Sequence, residues 1–243
     1  LAPEKLANLA QHDDVSVLRT LAGNPSLSKE LANQMSHNSS NSVRRALASR
    51  TDLTDENLQQ LANDEDHWVR QRVARHPQLD EMLLNKLAQD QNDEVRRAVT
   101  RNPLTSIDIL RRLSVDNSVW VRAGVAYQKK TPADVLGMLS AEDDVDVLSG
   151  VASNTNTPQA ILIRLSGSQQ TDIRRGVIIN PKAERDTLLP LLEDPYYLHR
   201  LMLVSNPSLS DRDRWSLHDD PDLSVRFMVF KWFAQKYLQP SLH

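Results

Sequence analysis

The stretch VRQRVARHP at residues 69–77 returns as VRRAVTRNP at 95–103, 26 residues further on. Stepping by 26 from Val17 lands on Val43, Val69, Val95, Val121, Val147, Ile173, His199 and Val225, and no insertion breaks the register. A period of that length marks a repeat architecture. One unit is too small to close a core of its own, so the units must stack on one another. The expectation is a single array over 1–243. It would hold about nine units, the first partial and the last, at 225–243, acting as a C-terminal cap. The opening LAPEKLANLAQ matches the second half of a repeat and lacks an initiating Met, so further sequence is expected upstream.

Residues 51–77, TDLTDENLQQLANDEDHWVRQRVARHP, show how one unit is written. Thr54 stands at an N-cap with Asp55 and Glu56 in the first turn, where carboxylates suit the helix dipole. Leu58, Leu61 and Ala62 follow at helical spacing and define helix A. A polar turn leads to helix B, with Val69 and Val73 one turn apart, which ends before Pro77. Ser28, Asp80, Ser106 and Ser210 repeat the cap, while Thr131-Pro132 and Thr157-Pro158 read as a capping Thr with Pro in the first helical position. Helices of roughly ten residues would not hold alone in water, so packing must sustain them. No strand pattern occurs. The fold expected is all-α, a solenoid of two-helix repeats without β-sheet, in which one helix of each pair has the option of being 3₁₀.

The pattern L-x-x-x-x-L-x-x-L-A-x-D followed by V-R-R-A-V-A-x-N-P resembles the leucine-rich repeat variant proteins of bacteria. The likeness runs over essentially the whole chain, with degenerate repeats beyond residue 182. It implies alternating α and 3₁₀ helices in a right-handed superhelix, and it implies no settled reaction. One member of that family carries an iron–sulfur cluster on a cysteine-rich N-terminal region, which a chain without cysteine does not hold.

The residue after the first valine of helix B is Arg in seven of nine units: Arg44, Arg70, Arg96, Arg122, Arg174, Arg200 and Arg226, with Leu18 and Leu148 the exceptions. A column of arginines invites a phosphate-binding reading. Helical geometry turns it toward the apolar arc instead, where a charge has to be paired. Asp64, Asp90, Asp116, Asp194 and Asp220 stand six residues earlier and suggest an Asp–Arg ladder that also ties down turn carbonyls. For Leu148 the partner site is Glu142 or Ser168, depending on the direction of the pair, and Glu142 breaks the rule.

The outward face of helix B should hold the residues one before, two after and six after the valine. In the middle units these are Trp68, Gln71 and Arg75, then Glu94, Arg97 and Arg101, then Trp120, Ala123 and Tyr127. Trp and Arg are enriched at protein hot spots and equally serve base stacking with phosphate contacts. The plainer reading is that each Trp covers the gap to the neighbouring repeat. Residues 43–130 hold 15 Lys and Arg against 13 Asp and Glu, whereas 131–243 hold 11 against 15, with Asp146 and Asp172 in the Trp column. The surface is polarised along the chain. Gly124, Gly150 and Gly176 share one helix B column and point to close helix approach.

Other chemistry finds no motif. A net charge of -3 gives no general attraction to nucleic acid or membrane, and no apolar run is long enough to span a bilayer. The absence of cysteine permits a reducing compartment, and a cytoplasmic location is expected. The seven His lack metal-ligand spacing, and the acidic runs AEDDVD (141–146) and LHDDPD (217–222) fall at helix-starting turns. A base-excising enzyme built on Trp68, Trp120 and Asp116 rests on analogy between helical-repeat folds alone. The terminal run RFMVFKWFAQKYL (226–238) concentrates Phe227, Phe230, Trp232, Phe233 and Tyr237, as a cap or, if exposed, a docking surface. The expectation is a non-enzymatic scaffold without cofactor or metal. It would bind a protein or peptide on the helix B face of the central repeats, with nucleic acid as the alternative ligand of the same face.

Overall fold

The computed structural model describes residues 3–238. Those residues form 18 α-helices and one short 3₁₀ helix, with no strand among them. The chain divides into two compact units, Leu1–Val125 and Ala126–His243. Each unit is a stack of helix pairs in which A helices pack beside A helices and B helices beside B helices, an α-solenoid. The 3₁₀ conformation implied by the family resemblance is confined to Leu189–Glu193; elsewhere helix A is α-helical, as in Asp55–Leu61 and Glu81–Leu87. Leu188, Leu191 and the A-helix leucines turn inward with the valines of helix B, and these apolar columns are the core.

Local chemistry starts each helix where the sequence places it. Ser28, Thr54, Asp80, Ser106 and Ser210 accept from the backbone N–H three residues on. The Thr-Pro units differ by one residue. Pro132 and Pro158 themselves occupy the N-cap position, and the Thr157 hydroxyl donates back to the Val151 carbonyl (2.5 Å). Pro has no N–H to lose at that point, so the cap shifts without leaving an extra orphan donor.

The arginine column points inward, but its carboxylate is not the one six residues earlier. The guanidinium reaches forward by 20 residues. Arg44 grips Asp64, Arg70 grips Asp90 and Arg96 grips Asp116 in the first unit; Arg174 grips Asp194 and Arg200 grips Asp220 in the second. In all five, Nε donates to Oδ2 at 2.6–2.7 Å and Nη2 donates to Oδ1 at 2.8–3.1 Å. What lies six residues earlier is a backbone carbonyl, which accepts from Nη1 at 2.5–2.8 Å. The Asp side chain also accepts the N–H two residues on, fixing the turn into its own helix B. The expected partner was wrong because the fork can close on a carboxylate only across the interface between repeats; within its own turn it meets main chain. Read forward, the exceptions fit: Leu18 looks to Asn38 and Leu148 to Ser168, so each lost cation coincides with a lost acid.

On the opposite side of helix B, a second column binds backward. The Asn that ends helix B, followed by Pro at Asn102 and Asn180 and by Thr at Asn154, sends its Nδ2 to two carbonyls at and just past the end of the preceding B helix: Asn102 to Ala74 and His76, Asn154 to Ala126 and Gln128, Asn180 to Ala152 and Asn154. The glycine column sits at the same interface. A Cβ on Gly150 would lie 2.7 Å from the Ala126 Cβ, and one on Gly176 would lie 2.7 Å from the Ala152 Cβ, closer than two carbons approach.

Two predictions follow from these columns. Arg200→Leu leaves Asp220 buried without its cation and should cost about 3–5 kcal/mol of stability. Adding Asp220→Ser, which copies the Leu148 and Ser168 combination, should recover much of that loss in denaturant titrations, giving a strongly non-additive cycle. His76 takes the Asn position in its repeat, is buried, and leaves Nε2 without a partner. Burial holds its imidazole below the ordinary value of 6.5, against the opposing pull of Asp52 and the Arg50 carbonyl. The unfolded chain therefore binds the proton more readily, and stability falls as pH drops through about 6.5. His76→Asn should remove that part of the acid slope in melting curves between neutral and mildly acidic pH.

Candidate binding surface

Within a unit an interior B helix such as His67–Ala74 is covered by helix A behind it and by a B helix on either side, so only a narrow strip meets solvent. In the first unit the strip carries the residues before and six after the valine. Trp68 and Trp120 are 42% and 47% exposed, and Arg75 and Arg101 are exposed beside them. The position two after the valine is more enclosed than its helical angle predicts. Gln71 is only 6% exposed and its Nε2 donates to Glu94 Oε2 (3.2 Å) in the following repeat. Gln71 is a seam residue, not an outward contact, because the neighbouring B helix closes over that side.

Arg97 lies between these extremes. Its guanidinium stacks over the Trp120 ring with Cζ 5.4 Å from the centroid, and its Nη1 meets Glu94 Oε1 at 3.5 Å. Its Nε is buried with no acceptor. Arg101 is exposed as a side chain, yet burial of its head, followed by repulsion from Arg97 and Arg75, pulls it below the ordinary arginine value. Arg97 pairs with Glu94 and Arg101 feels the same carboxylate, while Arg75 adds a further positive charge beside Arg101. This contrasts with the ladder, where every fork described above closes on its own Asp. Trp120 packs under Arg97 of the preceding repeat and Trp68 lies against His67, and each remains nearly half exposed. Asp116 is engaged by Arg96 and by the Ser118 N–H, and its carboxyl is held below the usual range by Arg96 against its burial. It is not available as a base.

Tyr127 belongs to the second unit, where the same columns have another chemistry. It is exposed and borders a cleft of about 330 Å³ with Asp146, Ser149, Asp172, Arg175 and Ile179. Partial burial and the Asp146 and Asp172 carboxylates push its phenol up. Tyr127 is therefore not part of the basic strip. A larger cleft of about 750 Å³ lies among the turns and A helices of the first unit, but Arg70 and Asp90 on its wall are already bound to each other. The crowding of Arg75, Arg97 and Arg101 was not legible in the sequence, since it depends on side chains 22 to 26 residues apart meeting across repeats.

Such crowding costs the unliganded protein. Arg101→Gln should raise stability by a few tenths of a kcal/mol at low salt, with the gain fading as salt screens the repulsion. Thermal melts at two ionic strengths check this.

No protein-family model matches the chain, and no curated protein does. Among solved structures, the chain is similar to a leucine-rich repeat variant with a novel repetitive protein structural motif. The two are 25% identical with a TM-score of 0.62, over 92% of this chain and 88% of that one. A designed armadillo repeat protein (11% identical, TM-score 0.25, covering 95% and 98%) and an engineered protein (16% identical, TM-score 0.23, covering 98% and 100%) align too loosely to carry an argument. Repeat spacing, motif and fold agree over most of both chains, and the chain resembles that leucine-rich repeat variant in its helical-repeat fold.

Proposed function

We propose that the chain is a non-enzymatic binding scaffold that recognises a protein or peptide segment rich in carboxylates. The partner would lie on the helix B strip of the first unit. The observation that carries this reading is the group Arg75, Arg97 and Arg101, short of anions and set between two half-exposed tryptophans. Guanidiniums that outnumber their carboxylates and repel one another suit a ligand that supplies the missing charge, and Trp beside Arg is the composition of an interface hot spot. Glu94 within the cluster favours an acidic peptide over a continuous phosphate backbone, since it would sit against the phosphates. The unbroken 26-residue register supports one array from end to end, and the lack of cysteine suits a reducing compartment such as the cytoplasm. Among the described residues no helix is long and apolar enough to cross a membrane.

The test is tryptophan fluorescence titration with a glutamate-rich peptide and, in parallel, a single-stranded oligonucleotide, each at low and moderate salt. The peptide should bind saturably, and Trp120→Ala should weaken it about tenfold, a typical hot-spot loss. A steep salt dependence with the oligonucleotide, flattened by Arg97→Ala with Arg101→Ala, would instead establish nucleic acid as the ligand. If neither Trp120→Ala nor the double arginine change affects binding, the surface assigned here is the wrong one.

A further inference from the structure

Two seams between B helices are built on the same positions and end differently. Between His67–Ala74 and Asp93–Arg101, Gln71 donates from Nε2 to Glu94 Oε2 (3.2 Å) and fills the interface. The equivalent positions between Val145–Ser153 and Thr171–Ile179 hold Ser149 and Asp172. A serine side chain stops short of the carboxylate, and Gly176 takes the place that Ala98 has in the first seam. The interface is left hollow, and the cleft of about 330 Å³ opens along it. The Tyr127 ring borders this cleft and lies on Gly150, where an added Cβ would come 3.1 Å from Cδ2.

The polar groups around the cleft lack partners. Ser149 is only 5% exposed, and its Oγ makes no hydrogen bond. Other serines turn the hydroxyl back to a carbonyl of the preceding turn, as Ser36, Ser49, Ser140 and Ser153 do. A buried hydroxyl without a partner is costly. Among the described residues, no ion pair or hydrogen bond reaches the carboxylates of Asp146 and Asp172, and Arg175 on the same wall pairs with neither. Two carboxylates against one guanidinium make the cleft negative. Calcium collects about six to eight oxygens, more than this wall supplies, whereas an ammonium group needs three acceptors. Tyr127 and Ile179, both exposed, add apolar surface beside the acids, and the volume suits a small organic group, at the lower end of the roughly 300–1,000 Å³ of ligand pockets.

We propose that this cleft binds an alkylammonium or alkylguanidinium group, the chemistry of a lysine or arginine side chain, with Asp146 and Asp172 holding the cation, Ser149 Oγ as a further acceptor and the stem against Tyr127 and Ile179. The stem and the charged head call for different walls, and the cleft has both. Arg175 acts there as a rival cation that the ligand displaces from the field of the two carboxylates. The group comes either from a free organic amine or from a basic side chain of a peptide. The site carries the opposite charge to the strip with Trp68 and Trp120 and depends on none of its residues.

The experiment follows backbone amide shifts of the full nitrogen-15-labelled chain by NMR. The probes are n-butylammonium, a capped and otherwise neutral peptide with one lysine, and the same peptide with norleucine in place of the lysine. Butylammonium and the lysine peptide should shift the amides of Ser149, Gly150 and Gly176 saturably, and the norleucine peptide should not. A lysine peptide that binds at least about tenfold more tightly than butylammonium identifies a protein side chain as the source, and equal affinities identify a free amine. Asp172→Asn should weaken either probe about tenfold, as loss of a charge-assisted bond does. Arg175→Gln should tighten binding severalfold. Ser149→Gln, which copies the filled seam, should abolish binding, with thermal melts of all three variants checking that the fold is kept. Absence of saturable shifts, equal binding of the norleucine peptide, indifference to Asp172→Asn, or weaker binding after Arg175→Gln would each overturn the proposal.

Discussion

The stack depends on one guanidinium doing three things. In each ladder repeat, Nη1 of the arginine holds the carbonyls of its own turn, while Nε and Nη2 close on an aspartate of the next repeat, and that aspartate in turn accepts the N–H that starts the next helix B. Turn, helix and neighbour are thereby fixed by a single side chain. Lysine does not replace it, because a point charge lacks the planar fork that reaches a carboxylate and a carbonyl together. The carboxylates respond accordingly. Burial pushes the Asp194 carboxyl up, but Arg174 and His199 outweigh it and hold it at about 2. Charges this enclosed stabilise only as complete pairs, and the paired losses at Leu18 with Asn38 and Leu148 with Ser168 follow the same constraint.

The forward-pointing ladder has a backward-pointing counterpart. Asparagine amides clamp the C-terminal carbonyls of the preceding B helix, groups that a helix end otherwise leaves unsatisfied. Where Gly124, Gly150 and Gly176 occur, the B helices approach closely enough that an added methyl would collide with the repeat before it. A glycine in mid-helix costs about 1 kcal/mol relative to alanine, so its recurrence in one column is explained by contact and not by local preference. Together these contacts consume most of the circumference of helix B and leave a strip two residues wide.

Chemistry is written on that strip by substitution at constant geometry. In the first unit the free columns hold Trp68, Arg75, Arg101 and Trp120; in the second the same columns hold Asp146, Asp172 and Tyr127. One scaffold therefore presents a cationic, aromatic surface and an acidic cleft by changing only residues that packing leaves free.

The sequence by itself determined the period, the two helices of each unit, their capping residues and the inward turn of the arginine column, because each follows from spacing along one chain segment. Its signals for the ladder were also present, in the joint loss of Arg and acid at positions 20 apart, but the nearer aspartates six residues back drew the assignment, although Arg44 and Arg174 have Asn38 and Ser168 there and Leu148 has Glu142. Only the tertiary structure decided which carboxylate was meant, since the choice turns on the distance across a repeat interface. It likewise decided that Gln71 belongs to a seam and that Tyr127 sits among carboxylates. Angular position on a single helix does not say how much of that helix its neighbours cover, and that coverage is set by the stacking distance between repeats.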